Sequence, residues 1–181
     1  MTGIEKVRAR VQELGACLSP GSEWILVREP ARFLRSRSVA QSGCISCHFG
    51  YFLVASVLAD QLNSDSIACG FVGYQNTWVE QTPYAIHSLQ ELLAEHDKHL
   101  ILPVADIRSR AQAEAELRAH GLSTDSMELK CFRQEDDPAL TGSQLQRVVD
   151  KWSENLREAL SRDHIPEPPL ERLIISSGVS K

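Results

Sequence analysis

Two cysteines and a histidine lie close together in the stretch 44-CISCH-48. Thiolates and imidazoles are nucleophiles and metal ligands, so this cluster can support several kinds of chemistry. The CxxCH spacing is that of c-type haem attachment, CxxC alone is that of a redox dithiol, and thiolates with further ligands hold zinc or iron–sulfur clusters. The cluster is also a candidate phosphate loop. Ser42 and Gly43 precede it, and Ser-Gly turns at helix N-termini present N–H groups to anions.

The surrounding sequence separates the first two alternatives. Haem attachment belongs to exported chains, and the only methionines here are Met1 and Met127, so the context opposes it. A dithiol is favoured by the helix that follows, because a helix N-terminus stabilises a thiolate. The polar segment 32-RFLRSRSVAQSG-43 is unlike the hydrophobic strand that precedes a thioredoxin-type motif. The dithiol therefore stays open as an alternative.

A metal site needs more than two thiolates, and Cys131 is the natural third ligand. Cys44, Cys47 and Cys131 on an iron–sulfur cluster would leave one iron open, whereas zinc would take His48 or a water as its fourth ligand. The alternative is three unrelated thiols. Cys69 lies in a predicted strand and is interpreted as a core residue.

The composition bounds the class of protein. The chain has 181 residues, of which 43% are hydrophobic and 24% charged, as expected of a globular domain with one core. A net charge of -5 argues against a surface that binds nucleic acid throughout, although the segment 28-REPARFLRSR-37 is a local basic patch. Five cysteines without an export signal predict reduced thiols in the cytoplasm. The longest apolar run, Phe49 to Ala59, is too short to cross a bilayer.

The pattern of apolar residues predicts alternating helices and strands. This alternation is typical of a Rossmann-like α/β fold, a mainly parallel sheet with helices on both faces. We expect a single domain over residues 1–163 and a C-terminal tail over 164–181. Predicted helices cover 4–14, 49–62, a segment from Pro83, one from Ser109 to Gly121, and 144–160; predicted strands cover 23–28, 66–73, 99–104 and 173–176.

Ligands of such folds bind at the carboxyl ends of the strands. The run 73-GYQNTWVEQTPYA-85 is polar and aromatic for a connection, so Tyr74 or Trp78 could stack on a base while neighbouring side chains bind its edge. Alternatively, Thr82 and Pro83 only begin a helix and Trp78 packs. After the next strand, Arg110 could contact a phosphate or carboxylate.

Together these pieces resemble the PP-loop superfamily of ATP pyrophosphatases over about half the chain, from Ser42 to Cys131. The family has an SGGxDS loop, a helix, a strand that ends in a Tyr and Gln step, and an acidic residue before the next helix. The chain is similar to the branch that includes the 7-cyano-7-deazaguanine synthases. It differs within 42-SGCISC-47, where Cys44, Ser46 and Cys47 replace a glycine, the aspartate and the last serine.

The resemblance implies a cytoplasmic enzyme that binds ATP and Mg²⁺ and acts on a nucleotide, modified nucleobase or tRNA by adenylation or sulfur or nitrogen transfer. Queuosine biosynthesis and other tRNA modification are reactions of this type. It implies a cysteine-based iron–sulfur or zinc site, with Glu128 beside Cys131 in a late loop. The alternatives are a non-catalytic nucleotide- or metal-binding subunit beside a partner protein, and the dithiol oxidoreductase. The implied catalytic residues are Cys44, Cys47, Glu128 and Cys131, and the implied nucleotide-binding residues are Ser42, Gly43, Ser46, Tyr74, Gln75, Glu80 and Arg110.

Overall fold

A computed structural model describes residues 3–15, 17–27, 45–125, 140–162 and 170–174. Within these ranges the chain has a mixed α/β structure, which confirms the predicted class. The α-helices are α1 (Gly3–Leu14), α2 (Ile45–Gln61), α3 (Pro83–Ala94), α4 (Arg110–Ala119) and α5 (Gly142–Leu160), and the strands are β1 (Glu23–Val27), β2 (Ser66–Ala68), β3 (His99–Ile101) and β4 (Leu170–Ile174).

The elements divide into two compact units. The first unit contains α1, β1, α4 and β4, and the second contains α2, β2, α3, β3 and α5. In the first unit β1 pairs antiparallel with β4, from Glu23 opposite Ile174 to Val27 opposite Leu170. Arg10 donates a 2.7 Å hydrogen bond to the carbonyl of Ser123, which ties α1 to the segment after α4.

The second unit is built around a β-α-β arrangement. Strands β2 and β3 are parallel, with Ser66 opposite His99 and Ala68 opposite Ile101, and α3 connects them. Parallel strands need a crossover connection, and a helix supplies it. Thr82 begins α3 as its N-cap and Pro83 follows at the first turn, as the sequence predicts.

Helix α5 supplies much of the core of the second unit by packing against α2 and α3. The Trp152 ring meets Phe52 edge to face at a centroid distance of 6.3 Å, and Ser153 and Ser88 share a 2.8 Å hydrogen bond. Arg157 forms a two-pronged ion pair with Glu95, at 2.7 and 2.9 Å. The fully buried apolar side chains of the unit include Ile45, Leu89, Leu92, Leu93, Val149, Trp152 and Leu156.

The strands are shorter than predicted. Strand β2 ends at Ala68 rather than residue 73, and β3 ends at Ile101 rather than residue 104. A chain turn begins at Pro103, which has no N–H for a strand ladder. The described strands therefore form two two-stranded sheets, one parallel and one antiparallel. Strand β4 covers residues 170–174 instead of 173–176.

Helix α2 begins at Ile45, four residues earlier than predicted, so Cys47 and His48 belong to its first turn rather than to the preceding loop. The helix is apolar on most sides, and Phe52, Leu53, Val54, Ser56 and Val57 are all buried. Among the described residues, no helix is both long and apolar enough to span a bilayer.

Candidate functional site

The connection between β2 and α3 is folded by its own polar side chains. It contains two short 3-10 helices, Gly73–Gln75 and Val79–Gln81. The Gln81 side chain accepts a 3.3 Å hydrogen bond from the Val72 N–H and donates one of 3.2 Å to the Gln75 side chain. These bonds connect Gln81 at the end of the loop to Val72 and Gln75 near its start.

Glu80 in this loop is directed into the protein and meets helix α2. Its side chain is only 2% exposed, and its Oε1 lies 3.4 Å from Nε2 of His48. The His48 ring also meets Tyr51 edge on and lies against Phe71, with centroid distances of 5.6 and 5.8 Å. The contact therefore joins the polar loop to the first turn of α2.

Burial sets the charge state of His48. Loss of water around the imidazole lowers the pKa of His48 from 6.5 to about 4. At neutral pH His48 is thus uncharged where it meets Glu80.

The loop continues directly into a well-fixed helix. The Thr82 hydroxyl donates to the carbonyl of Val79 at 2.9 Å and accepts from the N–H of Ala85 at 3.3 Å. One side chain therefore closes the 3-10 helix that contains Glu80 and begins α3. Sequence analysis offered this capping role as the alternative to ligand binding, and the structure shows that Thr82 performs it.

The structure brings some of the predicted site residues together. Tyr74, Gln75 and Glu80 share the loop, and the Tyr74 side chain is exposed. Ser46 and Cys47 belong to the first turn of α2. The same turn contains His48, which contacts Glu80. Sequence analysis considered His48 as part of a haem-attachment motif and as a zinc ligand. Its pairing with Glu80 has no local signal because the two residues are distant in sequence.

Arg110 is in α4 of the first unit, where its side chain is largely exposed and bonds Glu114 at 3.0 Å, one helical turn away. This contact is an ordinary i,i+4 pair on a helix surface. Ser42, Gly43, Cys44, Glu128 and Cys131 lie outside the described residues, so their roles stay predictions.

A metal site is not formed by the part of the chain that the structure describes, where no three His, Cys, Asp or Glu side chains are grouped as ligands. The predicted trio of Cys44, Cys47 and Cys131 depends on residues beyond that part. Of the other cysteines, Cys17 is exposed, and burial raises the pKa of the Cys69 thiol, which opposes a reactive role for Cys69.

We compared the chain with protein-family models, curated proteins and solved structures, and none of these comparisons gave a match. The candidate site is therefore defined by its own geometry: a polar loop after a parallel strand, joined to the N-terminal turn of a buried helix.

Proposed function

We propose that this chain is a PP-loop-like protein that binds a nucleotide or modified nucleobase between the segment 42–48 and the loop 73–81. In this proposal it acts on the ligand by adenylation or by sulfur or nitrogen transfer. The observation that carries the proposal is the contact between Glu80 and His48, which joins that loop to the first turn of α2.

The order of elements supports the proposal. Helix α2 follows the Ser-Gly step, β2 follows α2, and α3 leads to the parallel strand β3. A PP-loop-like fold has this order, and in it β2 and β3 are part of a larger Rossmann-like, mainly parallel sheet. We propose that fold for this chain. The loop after β2 follows a strand's carboxyl end, where ligands of parallel sheets bind.

The chemistry of the loops also suits a nucleotide. A helix N-terminus preceded by Ser42 and Gly43 offers N–H groups and the positive end of a dipole to a phosphate. The exposed ring of Tyr74 offers a stacking surface, and the side-chain amide of Gln75 can bind the edge of a base. Glu80 would hold the loop in place for this binding, because its side chain is buried against His48 in α2.

The proposal includes the cysteine site and the ATP requirement. Cys44, Cys47 and Cys131 would hold an iron–sulfur cluster or zinc, or carry sulfur, and Glu128 would lie beside them. A bound metal would supply Lewis-acid activation, and ATP with Mg²⁺ would supply the adenylyl group. Support for this part comes from the residue types and the position of Cys47 in the first turn of α2. Metal content of anaerobically purified protein, wild type against Cys131→Ser, tests it.

The central test compares two histidine–glutamate contacts, one with a buried glutamate and one exposed to solvent. His87 and Glu91 on α3 are 3.5 Å apart, much like His48 and Glu80, but both side chains are more than 60% exposed. We expect wild type and Glu91→Ala to bind ATP, measured by calorimetry, with equal affinity. Glu80→Ala should bind it at least about tenfold more weakly, a difference of about 1.4 kcal/mol, because the loop loses the side chain that contacts α2.

Release of labelled pyrophosphate from ATP then separates enzyme from binding subunit. The alternative, which rests on the replacement of family residues by Cys44, Ser46 and Cys47, is a non-catalytic subunit that would bind ATP without releasing pyrophosphate. If wild-type protein bound neither ATP nor AMP at millimolar concentration, the proposal would be rejected.

One observation favours a dithiol oxidoreductase as the second candidate. Cys47 lies in the first turn of α2 and Cys44 directly precedes that helix in the sequence, the arrangement that makes a CxxC thiolate reactive. Under this alternative, redox titration would show a two-electron couple that Cys47→Ser abolishes. Absence of such a couple in the wild type would exclude it.

A further inference from the structure

Gly73, the first residue of the 3-10 helix Gly73–Gln75, is in close contact with a guanidinium group. A Cβ atom at this position would lie 2.6 Å from an Nη atom of Arg108, 2.6 Å from the carbonyl oxygen of Ala105 and 3.1 Å from that of Ile107. Real Cβ atoms do not approach other atoms at 2.6 Å. Only glycine therefore allows the turn before Arg108 to pack against the start of this loop.

The backbone before Arg108 is fixed. The N–H of Ala105 donates to the carbonyl of Leu102 at 3.3 Å, and the N–H of Ile107 donates to that of Val104 at 3.1 Å. The Ile107 side chain is buried and anchors this turn to the second unit, while Arg108 itself is exposed. A fixed backbone thus carries Arg108, an exposed residue, and places its guanidinium beside Gly73, the residue that precedes Tyr74.

We infer that Arg108 binds the phosphate of the nucleotide whose base contacts Tyr74, an inference that rests on the proposed function. A guanidinium presents a planar fork of donors that matches phosphate oxygens. The molecule carries a net charge of -5, so a cation held at the loop is needed to attract an anionic ligand. Sequence analysis gave this role to Arg110, which lies two residues further along the chain, in α4.

The test measures binding of AMP and of adenosine by calorimetry. We expect wild type to bind AMP at least tenfold more tightly than adenosine. Arg108→Ala should lose this preference while its adenosine affinity stays within twofold of wild type, and Arg108→Lys should retain part of it. Gly73→Ala should behave like Arg108→Ala, because the added methyl group displaces the guanidinium.

Two further variants serve as comparisons. Arg118→Ala removes an exposed arginine that pairs with the same Glu114, and its AMP preference should equal that of wild type. Arg110→Ala is the competing prediction: loss of the preference in Arg110→Ala with its retention in Arg108→Ala would overturn the inference. Thermal unfolding and circular dichroism identify variants that fail to fold. If Gly73→Ala does not fold, Arg108→Lys becomes the decisive variant, because Arg108 is exposed and its substitution should leave the fold intact.

The outcomes separate this inference from the function on which it rests. Wild-type binding of AMP and adenosine with equal affinity would overturn the role of Arg108 but leave nucleoside binding intact. If wild type preferred AMP to adenosine and Arg108→Ala kept that preference, the role of Arg108 would also be overturned while nucleotide binding would stand. Binding of neither compound would overturn both.

Discussion

At the scale of single residues, the most consequential group is the partly buried imidazole of His48. Its side chain is 23% exposed and lies against Glu80, Tyr51 and Phe71. Because the folded protein lowers the pKa of His48 to about 4, the ring stays neutral through the physiological range. At neutral pH the ring therefore adds no positive charge beside the buried Glu80 side chain.

The same pKa change predicts a pH dependence of stability. Between pH 6.5 and about 4 the unfolded chain binds a proton at His48 and the folded chain does not, so the free energy of unfolding falls as the pH falls through this window. The full difference is on the order of 3 kcal/mol, from about 1.4 kcal/mol per pH unit. Urea unfolding of wild type and His48→Gln at pH 7 and pH 4.5 should show a smaller loss for the variant.

The control for this prediction is His87→Gln, which removes an exposed histidine that also contacts a glutamate. Its pH dependence should match that of wild type. An NMR titration of His48 with a midpoint near 6.5 would contradict the prediction directly, because a pKa at the ordinary value carries no linkage to folding.

At the scale of elements, the start of α3 determines the position of the candidate site. Thr82 is buried and bonds both the preceding 3-10 helix and the first turn of α3. We expect Thr82→Ala to lower the free energy of unfolding by about 1 to 2 kcal/mol, the usual cost of losing an N-cap. Thr82→Ser keeps the hydroxyl and should recover most of that loss in urea unfolding.

Thr77→Ala provides the matched control, since Thr77 lies in the same loop but is exposed. Its effect should stay below about 0.5 kcal/mol, as for most surface substitutions. Equal destabilisation by Thr77→Ala and Thr82→Ala would show that the loop is sensitive to any threonine loss, and would remove the capping explanation.

At the scale of the whole molecule, stability of the second unit depends on the packing of α5 against α2 and α3. Leu156 is fully buried, so Leu156→Ala should cost about 2 to 5 kcal/mol through lost burial and the cavity left behind. Leu62→Ala just after α2, where the side chain is 48% exposed, should cost much less. Similar urea midpoints for the two variants would contradict this assignment of the core.

Some elements were predictable from sequence because their signals are local. The Thr82 and Pro83 pair predicts the start of α3, and Ser109 caps α4 through the N–H of Gln112, as its spacing suggests. The apolar face of residues 144–160 predicts α5, which buries Val149, Trp152 and Leu156. The β-rich runs, by contrast, predicted strands that were too long, because strand length depends on a partner that the sequence does not name.

The candidate site was predictable only in part. Sequence analysis selected Tyr74, Gln75 and Glu80 from the polar character of the loop, and they share that loop in the structure. It did not pair Glu80 with His48, and it did not name Arg108, whose guanidinium lies beside Gly73. The phosphate-binding role of Arg110 stays a prediction. The extent of the domain over 1–163, the roles of Ser42, Gly43 and Glu128, and the cysteine trio stay predictions.

The sequence by itself determined the mixed α/β class, the amphipathic helices and the residues that begin α3 and α4, since these follow from hydrogen bonds and apolar spacing within a few residues. Only the tertiary structure decided which strands pair, that Glu80 meets a neutral His48, and that Gly73 lies against Arg108. The physical reason is that burial and contact between distant segments set these partners and the pKa of His48. Neither is a property of any local stretch of chain.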